Sequence, residues 1–118
     1  MEGDLGENRK FLRITSRLRC WCEGENVTVY ARIGNLSEDG LFVRTSTPLA
    51  RGSRALLRFR DGDMPEISAA ARVVWTSGGG DGGPPGMGLQ FEPMDEQSRE
   101  LIRQIIQGEQ QLKTGSAV

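Results

Sequence analysis

The sequence predicts an all-β fold with one C-terminal helix, in which six antiparallel strands form a small barrel. Three observations lead to this prediction. The 118-residue chain contains six short runs rich in apolar and β-branched residues, several with the period-two alternation of a half-buried strand. Clusters of Gly, Pro, Asn, Asp and Ser separate most of these runs, as turns do in small barrels. One apolar stripe with helical spacing follows the last run.

The predicted strands follow one another at residues 17–23, 27–34, 41–46, 54–59, 67–76 and 86–91. The second has the clearest alternation, because apolar side chains occupy every second position from Val27 to Ile33. Asp61-Gly62-Asp63 predicts a hairpin between the fourth and fifth strands. The Gly-rich stretch 76–85 has the spacing of neither a P-loop nor a dinucleotide-binding fingerprint. It is therefore predicted to be a flexible hairpin loop.

The C-terminal helix is predicted from a cap and a stripe. Asp95 can cap its start, and Gly108 is expected to end it. Its apolar stripe consists of Leu101, Ile102, Ile105 and Ile106. The stripe must be buried, and it can pack over an open end or side of the barrel. The predicted organisation is thus a flexible arm at 1–8, a barrel with its helix at 9–108, and a flexible tail at 109–118.

Composition narrows the class of protein. The net charge of −1 predicts no binding to long nucleic acid, and no apolar run is long enough to insert into a membrane. No secretory signal is present, so a cytoplasmic location is expected. The two cysteines, Cys20 and Cys22, are then expected to be reduced thiols.

The residues needed for catalysis are missing. The chain has no histidine, and two cysteines are too few for a structural zinc site. The carboxylates Glu92, Asp95 and Glu96 lie at a helix start, where acidic side chains are usually solvated. We therefore expect a binding protein with no enzymatic activity, no cofactor and no metal. Trp21 and Trp75 are expected to pack against the core, with a role as stacking platforms the alternative.

The polar hinge 35–40 joins the second and third predicted strands. Asn35 and Ser37 lie two residues apart, so in extended chain they point the same way and can present an amide and a hydroxyl to a ligand. Gly40 permits a tight turn or a close approach of backbone. Arginine outnumbers lysine thirteen to two, and its planar fork suits phosphate and guanine. Locally basic segments on a near-neutral chain indicate a small anionic ligand.

Arg9-x-x-x-Arg13 followed by Asn35-x-Ser37-x-x-Gly40 resembles the two-part signature of the PilZ domain family. The resemblance covers about residues 7–107. Similar segments include Gly40-Leu41-Phe42-Val43, Pro48-Leu49, Gly52, Val73-Val74-Trp75, Gly86-x-Gly88-Leu89-Gln90-Phe91 and the closing helix. It implies a six-stranded antiparallel PilZ-type barrel. Asn8 stands where many members carry another arginine, and Asp39 where a glycine or small residue is common.

The resemblance implies that the chain binds cyclic di-GMP, a bacterial second messenger with two guanines and two phosphates. It implies ligand contacts from Arg9, Arg13, Asn35, Ser37 and Gly40, with Lys10, Trp75 and Gly88 as additional candidates. The arginines suit guanine edges and phosphate oxygens. A leading arm that folds over the ligand would give an unidentified protein partner a new surface to bind. The expected function is then that of a single-domain signalling adaptor.

Two other functions remain open. Some PilZ-like domains bind no nucleotide and serve as protein-interaction modules, for example in motility or pilus machinery. A small barrel can also bind single-stranded RNA through a basic groove and several exposed aromatic side chains. Seven aromatic residues in the whole chain and a net charge of −1 argue against RNA.

Overall fold

The computed structural model describes residues 13–78 and 83–116 and confirms the predicted architecture, a closed six-stranded antiparallel barrel with a C-terminal helix. A short additional strand precedes the barrel strands. The elements are β1 (Ile14–Thr15), β2 (Arg19–Glu23), β3 (Thr28–Ser37), β4 (Gly40–Arg44), β5 (Arg54–Phe59), β6 (Ile67–Ser77), β7 (Gly86–Phe91) and α1 (Glu96–Ser116). Two residues are too few to show alternation, so β1 gives no signal in the sequence.

The barrel closes because β3 is long enough to serve two neighbours. The strands pair in the order β3, β2, β5, β6, β7 and β4, and β4 pairs back onto β3. The first half of β3 pairs with β2, and its second half pairs with β4. Strand β1 pairs with β3 through Ile14 opposite Leu36 and Thr15 opposite Asn35. This pairing holds the chain that leads into the barrel beside the polar hinge.

The core lies inside the barrel and under α1. Inward side chains alternate with exposed ones along β2, β5 and most of β6, as the period-two pattern predicts. Ile102, Ile105 and Ile106 of α1 are buried in the same cluster, and each contributes about 1.5–3 kcal/mol by leaving water. The Asp95 carboxylate accepts a hydrogen bond of 2.7 Å from the Ser98 N–H, which caps the helix as predicted.

Both cysteines belong to this core. Cys20 and Cys22 are free thiols, fully buried on the inner face of β2, with their sulfur atoms 3.9 Å apart. The contact with the Cys22 thiol and burial raise the pKa of Cys20 far above its ordinary value. The Cys20 thiol therefore stays protonated and packs as a small apolar side chain.

Two expectations need correction. The helix does not end at Gly108 but continues to Ser116, because Gly108 lacks the positive φ of a terminating glycine and helix-favouring residues follow it. Trp21 and Trp75 do not pack in the core, since 43% and 47% of their surfaces are exposed. Trp21 alternates with two inward cysteines and so points outward, and a bulge turns Trp75 outward.

The predicted flexible arm, residues 1–8, lies outside the described residues. Within residues 13–78 and 83–116, no helix combines the length and apolar character needed to cross a membrane.

Candidate ligand-binding groove

Two β-bulges lie on the same side of the barrel and decide what that side displays. In β3 the pairing with β4 shifts between Ile33 and Asn35, so Gly34 is the extra residue. Ile33 and Leu36 both point into the core, and Asn35 faces out. Without the bulge, the alternation predicted from Val27 onward would bury Asn35. The bulge therefore brings a polar amide to the outer surface.

The second bulge lies in β6. Its pairing with β7 shifts between Val73 and Trp75, so Val74 is the extra residue there. Val73 is buried, whereas Val74 and Trp75 are both exposed. The bulge thus turns the Trp75 indole onto the same outer surface as Asn35.

Asn35, Phe42, Gly88 and Trp75 form one row across β3, β4, β7 and β6, because each is the register partner of the next. The rings of Phe42 and Trp75 stack nearly parallel, with centroids 5.2 Å apart and planes 12° apart. Phe42 is only 6% exposed although it points outward, while Trp75 is 47% exposed. Trp75 covers Phe42 and offers part of its own ring to a ligand.

Three glycines, called here the glycine floor, make room for these rings. A Cβ at Gly88 would lie 2.2 Å from the Trp75 Nε1, and one at Gly86 would lie 2.4 Å from the Phe42 Cζ. A Cβ at Gly34 would lie 2.9 Å from the Phe42 Cδ2. All three distances are below normal van der Waals contact, so the two rings lie directly on backbone. The result is a flat aromatic surface close to the barrel wall.

Arg13 joins the two halves of the predicted motif. Its Nη1 donates a hydrogen bond of 2.6 Å to the Asn35 Oδ1, across 22 positions of sequence. Pairing of β1 with β3 accounts for this meeting, since Arg13 directly precedes β1 and Asn35 lies opposite Thr15. A guanidinium and an amide thus converge at one end of the aromatic surface.

These groups line an open groove of about 920 Å³, near the upper end of the roughly 300–1,000 Å³ of typical ligand pockets. Arg44 adds a second guanidinium to its wall, and Gln90 adds an amide. The groove therefore combines a ring face, hydrogen-bonding amides and positive charge, which are the groups that bind a purine and a phosphate.

Ser37 lies behind this wall and does not line it. Its side chain is fully buried, and its hydroxyl donates to the Asp39 carboxylate, which does line the groove. The Asp39 N–H lies 3.4 Å from the same hydroxyl oxygen. Gly40 closes the turn where a Cβ would lie 2.3 Å from the Leu89 carbonyl oxygen. Ser37 and Gly40 thus shape the turn, and Ser37 holds a carboxylate that faces the groove.

The remaining residue of this turn contacts the helix. The Glu38 Oε1 accepts a hydrogen bond of 3.0 Å from the Arg103 Nε and lies 4.0 Å from the Arg99 Nη2. Hydrogen bonds to Glu96, Glu38 and Glu100 raise the pKa of Arg103, so its guanidinium stays charged. One turn therefore presents Asp39 to the groove and Glu38 to α1.

Most of the predicted ligand-binding residues meet in this groove. It is lined by Arg13, Asn35, Gly40, Trp75 and Gly88. Ser37 lies behind the wall, and Arg9 and Lys10 lie outside the described residues. Sequence reasoning missed Phe42 and Arg44 as wall residues. Both follow Gly40 at even spacing, on the face opposite Leu41 and Val43, and this alternation was the available signal.

Comparisons with known sequences and structures agree with the observed fold. The sequence profile of the PilZ domain matches residues 7–108. No curated protein sequence matches the chain. Among solved structures, the chain resembles the PilZ domain with c-di-GMP of YcgR from Escherichia coli, with a TM-score of 0.74 and 17% identity. That match covers 93% of this chain and 97% of the other.

Two longer proteins resemble the chain equally well. The Bacillus subtilis inhibitor of motility, MotI, matches with a TM-score of 0.74 and 18% identity, over 90% of this chain and 52% of its own. Escherichia coli YcgR in complex with c-di-GMP matches with a TM-score of 0.77 and 18% identity, over 93% and 49%. The chain therefore spans about half the length of these two proteins, and at such identities the likeness establishes the fold.

Proposed function

This chain belongs to the PilZ domain family, and from that premise we propose that it is a cyclic di-GMP receptor that acts as a signalling adaptor. The observation that carries the proposal is the hydrogen bond from Arg13 to Asn35 beside the exposed ring of Trp75. It unites the two motif halves in one groove that also contains a stacking surface. The structural relatives include PilZ domains in complex with this ligand.

Each wall residue has a role that its chemistry supports. Trp75 stacks on one guanine, and Asn35 hydrogen-bonds to a base edge. Arg13 and Arg44 pair with phosphate or with the guanine O6 and N7. Asp39 remains bonded to Ser37, which limits its repulsion of the anionic ligand. Arg9 and Lys10 complete the site directly after the leading arm, and the ligand orders this arm to change partner binding.

Isothermal titration of cyclic di-GMP into the purified chain tests the receptor proposal. We expect saturable heat that Arg13→Ala removes and that Trp75→Ala weakens. Arg51→Ala is a matched control, because Arg51 is an exposed loop arginine away from the groove wall. If the wild-type chain gives no heat at the highest soluble ligand concentration, the receptor proposal fails.

Hydrogen exchange tests the ordering of the arm. We expect cyclic di-GMP to slow amide exchange at residues 8–14 in the wild-type chain and not in Arg13→Ala. Ligand binding with unchanged exchange in this segment would contradict the arm-ordering step and leave the receptor proposal intact.

The alternative is a nucleotide-independent protein-interaction module in motility or pilus machinery. The exposed Trp21 and Tyr30 on the outer face of β2 and β3 favour a protein contact there. In this case, replacing both Arg9 and Arg13 by alanine leaves partner binding unchanged in a pull-down. Loss of partner binding in that double variant would instead favour the nucleotide-dependent adaptor.

A further inference from the structure

The outer face of β2 and β3, away from the groove, carries two large aromatic side chains in contact. Trp21 and Tyr30 are register partners, with ring centroids 4.4 Å apart. They are 43% and 51% exposed, respectively. The Arg19 guanidinium lies 5.9 Å from the Tyr30 ring centroid. Trp, Tyr and Arg are the residues most enriched at the energetic centres of protein interfaces.

Three arginines, called here the arginine row, cross the barrel next to these rings. Arg19 of β2 lies opposite Arg32 of β3, and Arg32 lies opposite Arg44 of β4. Neighbouring strands are about 4.8 Å apart, so three like charges stand side by side on exposed positions. Directly opposed like charges destabilise a sheet unless an anion lies between them.

The arginine row differs from the other strand and helix arginines in its partners. Among the described residues, none of its three members forms an ion pair with a carboxylate. Five other arginines each face a glutamate; they are Arg54, Arg58, Arg72, Arg99 and Arg103. The row is thus a strip of uncompensated positive charge on a chain whose net charge is −1.

We infer that Trp21, Tyr30 and the arginine row form a docking surface for an acidic segment of a protein partner, with Arg19 and Arg32 at its centre and Arg44, which also lines the groove, at its edge. An apolar side chain of the partner packs on the two rings, and its carboxylates lie between the arginines. Single-stranded RNA fits less well, because two rings tilted 38° against each other do not form a flat platform on which successive bases stack. This inference rests on the proposed adaptor function, because an adaptor requires a protein partner.

Selection from a displayed library of random peptides against the immobilised full chain tests the surface. We expect enriched peptides to carry several Asp or Glu residues around an aromatic or aliphatic residue. Synthetic copies should bind with an affinity that falls as salt rises, because the arginine contacts are exposed. Amide shifts in labelled protein should map their contact to β2 and β3.

Variants then identify the residues responsible. Trp21→Ala should weaken a selected peptide about tenfold, as loss of an interface anchor does, and Arg19→Ala with Arg32→Ala should do the same. Arg51→Ala removes an equal charge elsewhere and should leave the affinity unchanged. Circular dichroism checks that each variant is folded, and all replaced side chains are exposed.

Three outcomes would overturn the inference. The first is that the selected peptides show no enrichment in acidic residues. The second is that a selected peptide binds Trp21→Ala as tightly as it binds the wild type. The third is that a 12-nucleotide oligouridylate binds to the surface of β2 and β3 more tightly than the selected peptides do. Titration of cyclic di-GMP into Trp21→Ala separates this surface from the groove. If Trp21→Ala loses peptide binding but still binds cyclic di-GMP, the partner surface is separate from the groove. If the wild-type chain binds the peptide but does not bind cyclic di-GMP, only the receptor proposal is refuted.

Discussion

Two faces of the barrel cover the same inner core but differ in the side chains that they carry on the outside. On the groove face, β3, β4, β7 and β6 carry two bulges and the glycine floor, and an outward phenylalanine is almost fully buried. On the face formed by β2, the first half of β3 and β5, alternation is regular and every outward position carries a side chain. A small barrel therefore makes a groove by omitting side chains and makes a contact surface by keeping them.

The sharpest test of this difference replaces one outward aromatic residue on each face. Phe42→Ala should lower the free energy of unfolding by about 4 kcal/mol, because a buried ring and its stack with Trp75 are lost. Tyr30→Ala should cost less than about 1 kcal/mol, because half of that ring is already in water. Urea denaturation measures both. Equal losses would mean that the two faces are packed alike.

The glycine floor predicts a large effect from a single methyl group. Gly86→Ala should destabilise the chain by about 3 kcal/mol, because the new Cβ would lie 2.3 Å from the Val43 carbonyl oxygen and against Phe42. Gly108→Ala is the control, since no atom of another described element lies within 4 Å of its Cβ position in α1, and it should stabilise by about 1 kcal/mol. A neutral Gly86→Ala in thermal or urea unfolding would refute the proposed close packing of ring on backbone.

A smaller difference is expected between the ion pairs of the two faces. Glu38→Gln should cost about 1 kcal/mol, because the Glu38 side chain is 23% exposed and contacts Arg103 and Arg99. Glu23→Gln should cost less than about 0.5 kcal/mol, since Glu23 and Arg58 are both more than a third exposed and water screens them. Chemical denaturation of the two variants compares them. A larger loss of stability in Glu23→Gln than in Glu38→Gln would show that the hydrogen bond between Glu38 and Arg103 adds little stability.

The weakest expected effect is pH dependence at the start of α1. A hydrogen bond from Arg103 holds the pKa of Glu96 below its ordinary value of 4.5. Hydrogen bonds from Ser98 hold the pKa of Asp95 below its ordinary value of 3.8. A lowered pKa stabilises the fold above the unfolded value, and this stability is lost as pH falls through the folded value. The free energy of unfolding should therefore fall as the pH drops below about 4.5, the ordinary value for Glu96. Glu96→Gln should flatten this dependence, and an unchanged slope would contradict the role of Glu96.

Regular alternation explains why so much of the fold was predictable. Strands β5 and β7 begin and end where the sequence predicts, and the apolar stripe of α1 lies in the core. The wall of the groove was harder to predict, because it depends on bulges. The local sequence of Gly34-Asn35 and of Val74-Trp75 does not indicate that both residues of each pair face outward, because the register is set by pairing with the neighbouring strand.

The motif residues were found through resemblance, and the structure adds their physical setting. Asn35 lines the groove, whereas Ser37 is fully buried in the turn and does not line it. The arginine row has no signal in any one segment of sequence, because its members come together only through pairing of three strands.

The extra residue in β3 has a further consequence for how this strand can change during evolution. Deleting Gly34 would leave Ile33, Asn35 and Leu36 in regular alternation on the sides that they already occupy, because Gly34 is the residue that the pairing with β4 skips. Deleting a residue of β3 outside the bulge would instead move the positions that follow it to the opposite side. The strand is therefore expected to accept the loss of Gly34 more readily than the loss of a residue elsewhere along its length.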